Sequence, residues 1–218
     1  MSENAQVSPP YELRSSRITV RCWQPVDAPL FKDAIDSSLD HLRPWMPWAH
    51  HEPQSVDEKV DLLRRFRGRF DLGEDFVYGI FTADGSRVLG GCGLHRRSGV
   101  GTLEIGYWIR ADATGQGLAT ETVRLLTKAA FTTCDIERLD ILVEPDNAAS
   151  AAIPRKLGFT EEARLRRHLP SGHAGEPMRD ALVFTLLAEE FVGSAMAAIE
   201  LHAFDCRGEP IDLNATQR

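Results

Sequence analysis

Between residues 76 and 109 three β-rich runs follow one another without a helical period between them. They span 76–81, 88–94 and 102–109, joined by the turns Ala83-Asp84-Gly85-Ser86 and Ser98-Gly99-Val100-Gly101. Such neighbours pair as an antiparallel meander, which a doubly wound parallel sheet does not contain. The third run then leads through Gly115-Gln116-Gly117 into a helical stretch, 115–132, with Leu118, Thr122, Leu125, Leu126 and Ala129 on one face. A strand that opens a helix through glycines gathers main-chain N–H groups at the positive end of the helix dipole, a cradle for phosphate oxygens.

The flanks complete a mixed α/β arrangement. Residues 1–12, with Pro9-Pro10, read as a loose tail, and order is expected from Leu13. A strand at 18–23 precedes a helix at 27–39, and His41 to Trp48, holding Pro44 and Pro47, reads as a structured loop. Ser55 and Glu58 form a capping box for a helix reaching about Asp71, whose Arg64, Arg65, Arg67 and Arg69 read as a solvated face or an anion contact. Further on come a strand at 138–143, a helix at 146–157 ended by Gly158, and strands at 159–168 and 179–187 around a Pro/Gly-rich loop, 170–177. Residues 189–218 form an extension that adds an edge strand or meets a partner copy, so a homodimer stays open.

Composition narrows the function. A chain of 218 residues with 43% hydrophobic and 26% charged residues carries one sizeable domain. The net charge of −7 argues against gripping a nucleic-acid backbone. No apolar run approaches the roughly 20 residues of a membrane span, and the first ten residues lack a secretory pattern, so a cytoplasmic protein is expected. Cys22, Cys92, Cys134 and Cys206 are scattered, and His50-His51-Glu52 lacks ligand spacing, so no metal is expected.

The glycine turn is not a dinucleotide fingerprint: residues 110–114 separate strand from glycine, and Thr120 stands at the third glycine's place. Nor is there a Gly-x-x-x-x-Gly-Lys run. The stretches Glu104-Ile105-Gly106-Tyr107-Trp108, Gly115-Gln116-Gly117-Leu118-Ala119-Thr120-Glu121, Pro145-Asp146-Asn147-Ala148-Ala149-Ser150 and Lys156-Leu157-Gly158-Phe159 resemble the GNAT superfamily of N-acetyltransferases, in its RimJ/RimL-like branch. Leu42-Arg43-Pro44-Trp45-Met46-Pro47-Trp48 and the opening 13–21 are similar to that branch too, so the likeness covers roughly residues 11–190. It implies one GNAT-like domain over 13–188, with a central mixed, mostly antiparallel sheet of about six or seven strands and about four helices.

By that resemblance the donor is acetyl-CoA and the acceptor a primary amine: a protein N-terminus first, with a lysine, a metabolite or an antibiotic also open. A non-catalytic acyl-CoA-binding module is the alternative. The coenzyme would lie against Trp108, Ile109, Arg110, Thr114, Gly115, Gln116, Gly117, Leu118, Ala119 and Thr120, with Asn147, Ser150 and Lys156 beyond them. Main-chain N–H groups of residues 113–118 would take its diphosphate, and its sulfur would point to Glu104 and Ser150 on one side of the sheet. Glu104 is the implied base, or else a surface carboxylate; Ser150 is the implied thiolate donor, or else part of a helix cap with Asn147. Trp45, Trp48, Glu104 and Tyr107 would contact the amine, the two tryptophans being core packing in the other reading. The superfamily's turn usually reads Gln/Arg-x-x-Gly-x-Gly/Ala, where this chain has Asp112 and Thr114; Lys156, Arg155 or Arg110 would then supply the missing charge. Finally, Pro154 cannot donate to the Ser150 carbonyl, which is expected to be free to orient a ligand.

Overall fold

The computed structural model describes residues 9–97, 99–171 and 176–213, so the greater part of the expected tail and Gly172 to Gly175 of the expected loop lie outside the described residues. Ten strands form one sheet: β1 (Glu12–Arg14), β2 (Ile18–Cys22), β3 (Phe76–Thr82), β4 (Val88–His95), β5 (Thr102–Ile109), β6 (Arg138–Val143), β7 (Thr160–Leu169), β8 (Arg179–Leu187), β9 (His202–Phe204) and β10 (Pro210–Ile211). Their order is β10-β9-β1-β2-β3-β4-β5-β6-β8-β7. Among the described residues six α-helices accompany them: α1 (Ala28–Asp36), α2 (Leu39–Leu42), α3 (Val56–Asp71), α4 (Leu118–Thr133), α5 (Ala148–Leu157) and α6 (Ala188–Val192).

The strand count exceeds the expected six or seven. The additional strands β1, β9 and β10 are two or three residues long, too short to show a period of two, and pairing alone creates them. Residues 9 and 10 are buried rather than loose, and Tyr78 donates its hydroxyl to the Pro10 carbonyl at 2.9 Å. The capping box is present: Glu58 N donates to Ser55 Oγ and Ser55 N to a Glu58 carboxylate oxygen.

All neighbouring strands run antiparallel except β5 and β6, which the crossover through α4 makes parallel. A cluster of Trp23, Phe31, Ile35, Leu63, Phe81 and Val88 joins α1 and α3 to one face. The larger core, with Ile105, Leu126, Ala130, Leu139, Ile141, Ala151 and Phe184, holds α4 and α5 to the other. Beyond β8 the chain returns across α4: Phe191 stacks on Phe131, and buried Lys128 donates to the Ile199 carbonyl at 2.9 Å before β9 pairs with β1.

Candidate active site

Strand β5 pairs with β4 along its length in unbroken register, but with β6 only at Thr102–Arg138, Leu103–Leu139 and Glu104–Asp140. Past Glu104 the two parallel strands separate. Arg110 N donates to the Leu89 carbonyl on the β4 side. Main-chain groups alternate along a regular strand, so the N–H groups of Ile105, Tyr107 and Ile109 turn toward β6; the Glu104–Asp140 bridge takes that of Ile105, and those of Tyr107 and Ile109 face the opening. The same alternation sends side chains to opposite faces. Trp108, Gly106 and Glu104 belong to the α1/α3 face, and Ile105 and Tyr107 to the α4/α5 face.

On the α4/α5 face, Gly115 (φ 74°) and Gly117 (φ 77°) turn the chain into α4, a left-handed conformation that a side chain makes costly. Ala113 N–H is spent on the Arg110 carbonyl and Thr114 N–H on the Ala111 carbonyl. The open row is therefore 115–120, shifted from the expected 113–118; among the described residues these six N–H groups have no acceptor. Residues 114–117 are exposed, so no described residue covers that part of the row. A groove of about 800 Å³ runs from it past Arg17, Arg124 and Lys156 to Glu200 and His202 of the returning segment.

Farther along the opening, Tyr107 OH lies 2.9 Å from Ser150 Oγ and 3.2 Å from the Ser150 carbonyl. The carbonyl that Pro154 leaves without its helical donor is thus taken by tyrosine and is not free. Burial pushes the Tyr107 phenol up to about 12, against the lowering effect of the Ser150 hydrogen bond, so it stays protonated. Asn147 caps α5, its Oδ1 accepting from Ser150 N at 3.1 Å.

The α1/α3 face is made differently. Glu104, with a side chain 13% exposed, pairs with Arg97 at 3.3 Å. Opposite it on β4, His95 Nδ1 lies 2.6 Å from Asp75 Oδ1. Gly93 and Gly106 form the floor beside them; a Cβ on Gly93 would press on the His95 ring. The far wall is Trp108, against which Trp48 sets its edge at 5.9 Å. Trp48 is exposed and Trp45 half-buried, so neither serves as core packing. Their loop is pinned from within: Lys59, fully buried, ion-pairs with Glu52, and Arg43 donates to the Glu52 carbonyl. From β8, Arg179 donates to the carbonyls of Pro44 and Pro170 and pairs with Glu144 at 2.6 Å.

A model of the acetyltransferase (GNAT) domain matches residues 17–160. The chain belongs to the GNAT family. It is an N-acetyltransferase. The ribosomal protein uS5-alanine N-acetyltransferase of Escherichia coli (strain K12) is 24% identical over 166 residues, covering 74% of this chain and 84% of that protein. The uncharacterized N-acetyltransferase p20 of Bacillus licheniformis is 31% identical over 139 residues, 63% of this chain and 76% of that protein. The structure of Mycobacterium smegmatis RimJ in complex with CoA-disulfide superposes with a TM-score of 0.73 at 25% identity, over 87% of this chain and 92% of that one.

This GNAT domain departs from the sequence expectations in three further places. Glu104 and Ser150 do not share a side of the sheet: three positions separate Glu104 from Tyr107, an odd number, and Ser150 sits with Tyr107. Both nevertheless border the one opening between β5 and β6. Arg110 is not available to a ligand, because its buried guanidinium bonds Asp33 at 2.5 Å and Asp112 at 3.0 Å. Asp112, which also pairs with Arg87, fastens the turn to α1 and β4, which accounts for a carboxylate there. Arg155 is held by Glu161 at 2.6 Å, leaving Lys156 of the three expected compensators. Arg124 was missed, although it follows Gly117 and Thr120 at helical intervals, and so was the His95–Asp75 pair, whose members lie 20 positions apart.

Proposed function

We propose that this GNAT enzyme moves an acetyl group from acetyl-CoA to the α-amino group of a protein N-terminus. The observation that carries this reading is the separation of β5 from β6 at Glu104, with a hydroxyl pair on one face of the gap and carboxylates on the other. The open N–H row at residues 115–120 suits the diphosphate, and Arg124 and Lys156 suit further anionic charge along the groove. Trp108, Ile109, Thr114 and the Asn147 amide line the remaining path of the coenzyme. The uS5-alanine specificity of the Escherichia coli relative supports a protein N-terminus as acceptor.

In this reading Glu104 draws the amine to the opening, between Trp48 and Trp108 on one side and the β4–β5 floor on the other. The amine nitrogen attacks the thioester carbonyl carbon, and the N–H of Tyr107 or Ile109 receives the oxyanion. The C–S bond then breaks as the amine nitrogen gives up one proton to a base on the ionic face and on to water, and the Ser150 hydroxyl, backed by Tyr107, gives the thiolate its proton and is reprotonated from solvent.

Thiol release with short peptides beginning in alanine or serine, compared with lysine-bearing N-blocked peptides and small primary amines, tests the proposal. N-terminal peptides are expected to be the best substrates. A small amine acetylated faster than every peptide overturns the acceptor assignment. Acetyl-CoA raising the melting temperature without thiol release from any amine favours a binding module instead.

A further inference from the structure

His95 stands directly across from Glu104 in the β4–β5 register, at the point where the opening begins. Its side chain is 12% exposed and that of Asp75 is 24% exposed. Nδ1 is committed to the Asp75 carboxylate, and among the described residues Nε2 has no hydrogen-bond partner. Two glycines make room for the ring. A Cβ at Gly106 would come within 3.2 Å of Nε2, and one at Gly93 within 2.6 Å. Nε2 therefore overlies the floor on which the acceptor amine is read to arrive.

The charged groups facing the imidazole and its partner are Asp75 before β3, Glu104 on β5, Arg97 after β4, and Arg69 on α3, whereas Arg96 turns to the other face over Phe76. Burial works to raise the Asp75 carboxyl, but the His95 hydrogen bond first, and then the nearby Arg97 and Arg69, outweigh it and hold Asp75 below the usual carboxylate range. An ionised Asp75 fixes Nδ1 as the donor and leaves Nε2 as the acceptor. Imidazole is the side chain whose chemistry suits general-base work at neutral pH. Glu104 is meanwhile occupied by Arg97.

We propose that His95 accepts the amine proton during acetyl transfer, with Asp75 as its positioning residue and Glu104 as the anion that holds the incoming amine. The inference rests on the acetyl-transfer reading above. As the N–C bond forms and the C–S bond breaks, one amine proton passes to His95 Nε2 and on to water. The thiolate takes the Ser150 proton, and Ser150 is reprotonated through Tyr107 and solvent.

The test is the pH dependence of kcat/KM for wild type, His95→Gln, His95→Ala and Asp75→Asn, run on whichever amine the wild-type screen shows to release thiol. All variants should keep a limb belonging to an α-amino acceptor, near 8. A second, lower limb should be present in wild type, absent in His95→Gln together with about 100-fold of rate, and displaced to lower pH in Asp75→Asn, where the imidazolium loses its counter-charge. Added imidazole should restore turnover to His95→Ala. The thermal shift with acetyl-CoA should match wild type throughout, which separates this outcome from misfolding. His95→Gln within about threefold of wild type, persistence of the lower limb in it, or no recovery with imidazole overturns the proposal. If His95→Gln does not fold, an unmoved limb in Asp75→Asn overturns it as well. Acetylation of small amines alone overturns the N-terminal reading while the His95 comparison proceeds on those amines; no thiol release from any amine overturns both.

Discussion

The two sides of the gap between β5 and β6 are built from different chemistry. Toward α4 and α5 the chain offers main-chain N–H groups and two hydroxyls that stay neutral across the physiological range. Toward α1 and α3 it offers ion pairs and an imidazole. The first surface presents neutral donors held in place by geometry; the second is ionic. Substitutions should accordingly separate donor affinity from turnover.

The largest expected effect is on the ionic side. Glu104→Gln should lower kcat/KM about 100-fold, about 2.7 kcal/mol of transition-state stabilisation, while leaving the acetyl-CoA thermal shift intact. Equal losses in binding and turnover would erase the contrast. Next comes Gly117→Val, which forces a β-branched residue toward φ 77°. It should weaken acetyl-CoA about tenfold by titration, near 1.4 kcal/mol, with turnover at saturating donor little changed.

A smaller change should follow Tyr107→Phe. The Ser150 carbonyl loses its donor, so stability should fall by about 1 kcal/mol in urea denaturation. The sign of its pH dependence is fixed by the raised phenol, whose folded value near 12 exceeds a free phenol's 10. Its stabilisation is complete below pH 10 and disappears as pH climbs through about 12, so the gap between wild type and variant should stay constant from pH 6 to 9. The smallest effect belongs to Asp84 in the β3–β4 turn. Hydrogen bonds from the Thr82 hydroxyl first, and then from Ser86, pull the Asp84 carboxyl down to about 2. Its stabilisation is present above the free carboxyl range and fades as pH falls to about 2, so Asp84→Asn should melt earlier than wild type at pH 6 and together with it near pH 2, with unaltered turnover.

Local features of the site were readable from sequence because local chemistry makes them. Gly115 and Gly117 announce the turn, Ser55 and Glu58 the start of α3, and the period-two runs the meander. What escaped depends on contacts distant in sequence. Arg110 is taken by Asp33, 77 positions away, and the Ser150 carbonyl by Tyr107, 43 positions away. No spacing rule anticipates either. The division of Glu104 and Tyr107 between faces was present in strand parity, but its meaning required knowing that β6 departs at Glu104.

The return of the chain to β1 has a consequence for synthesis. Residues 12–14 lie on the outer flank of β2, yet their other neighbour is 202–204. While the ribosome is still translating, β1 presents bare amide and carbonyl groups, and the groove beside α4 lacks the wall that residues 199–202 supply. A nascent chain can fold its central sheet well before it can close around a coenzyme, so stalled or prematurely released products should be the aggregation-prone species.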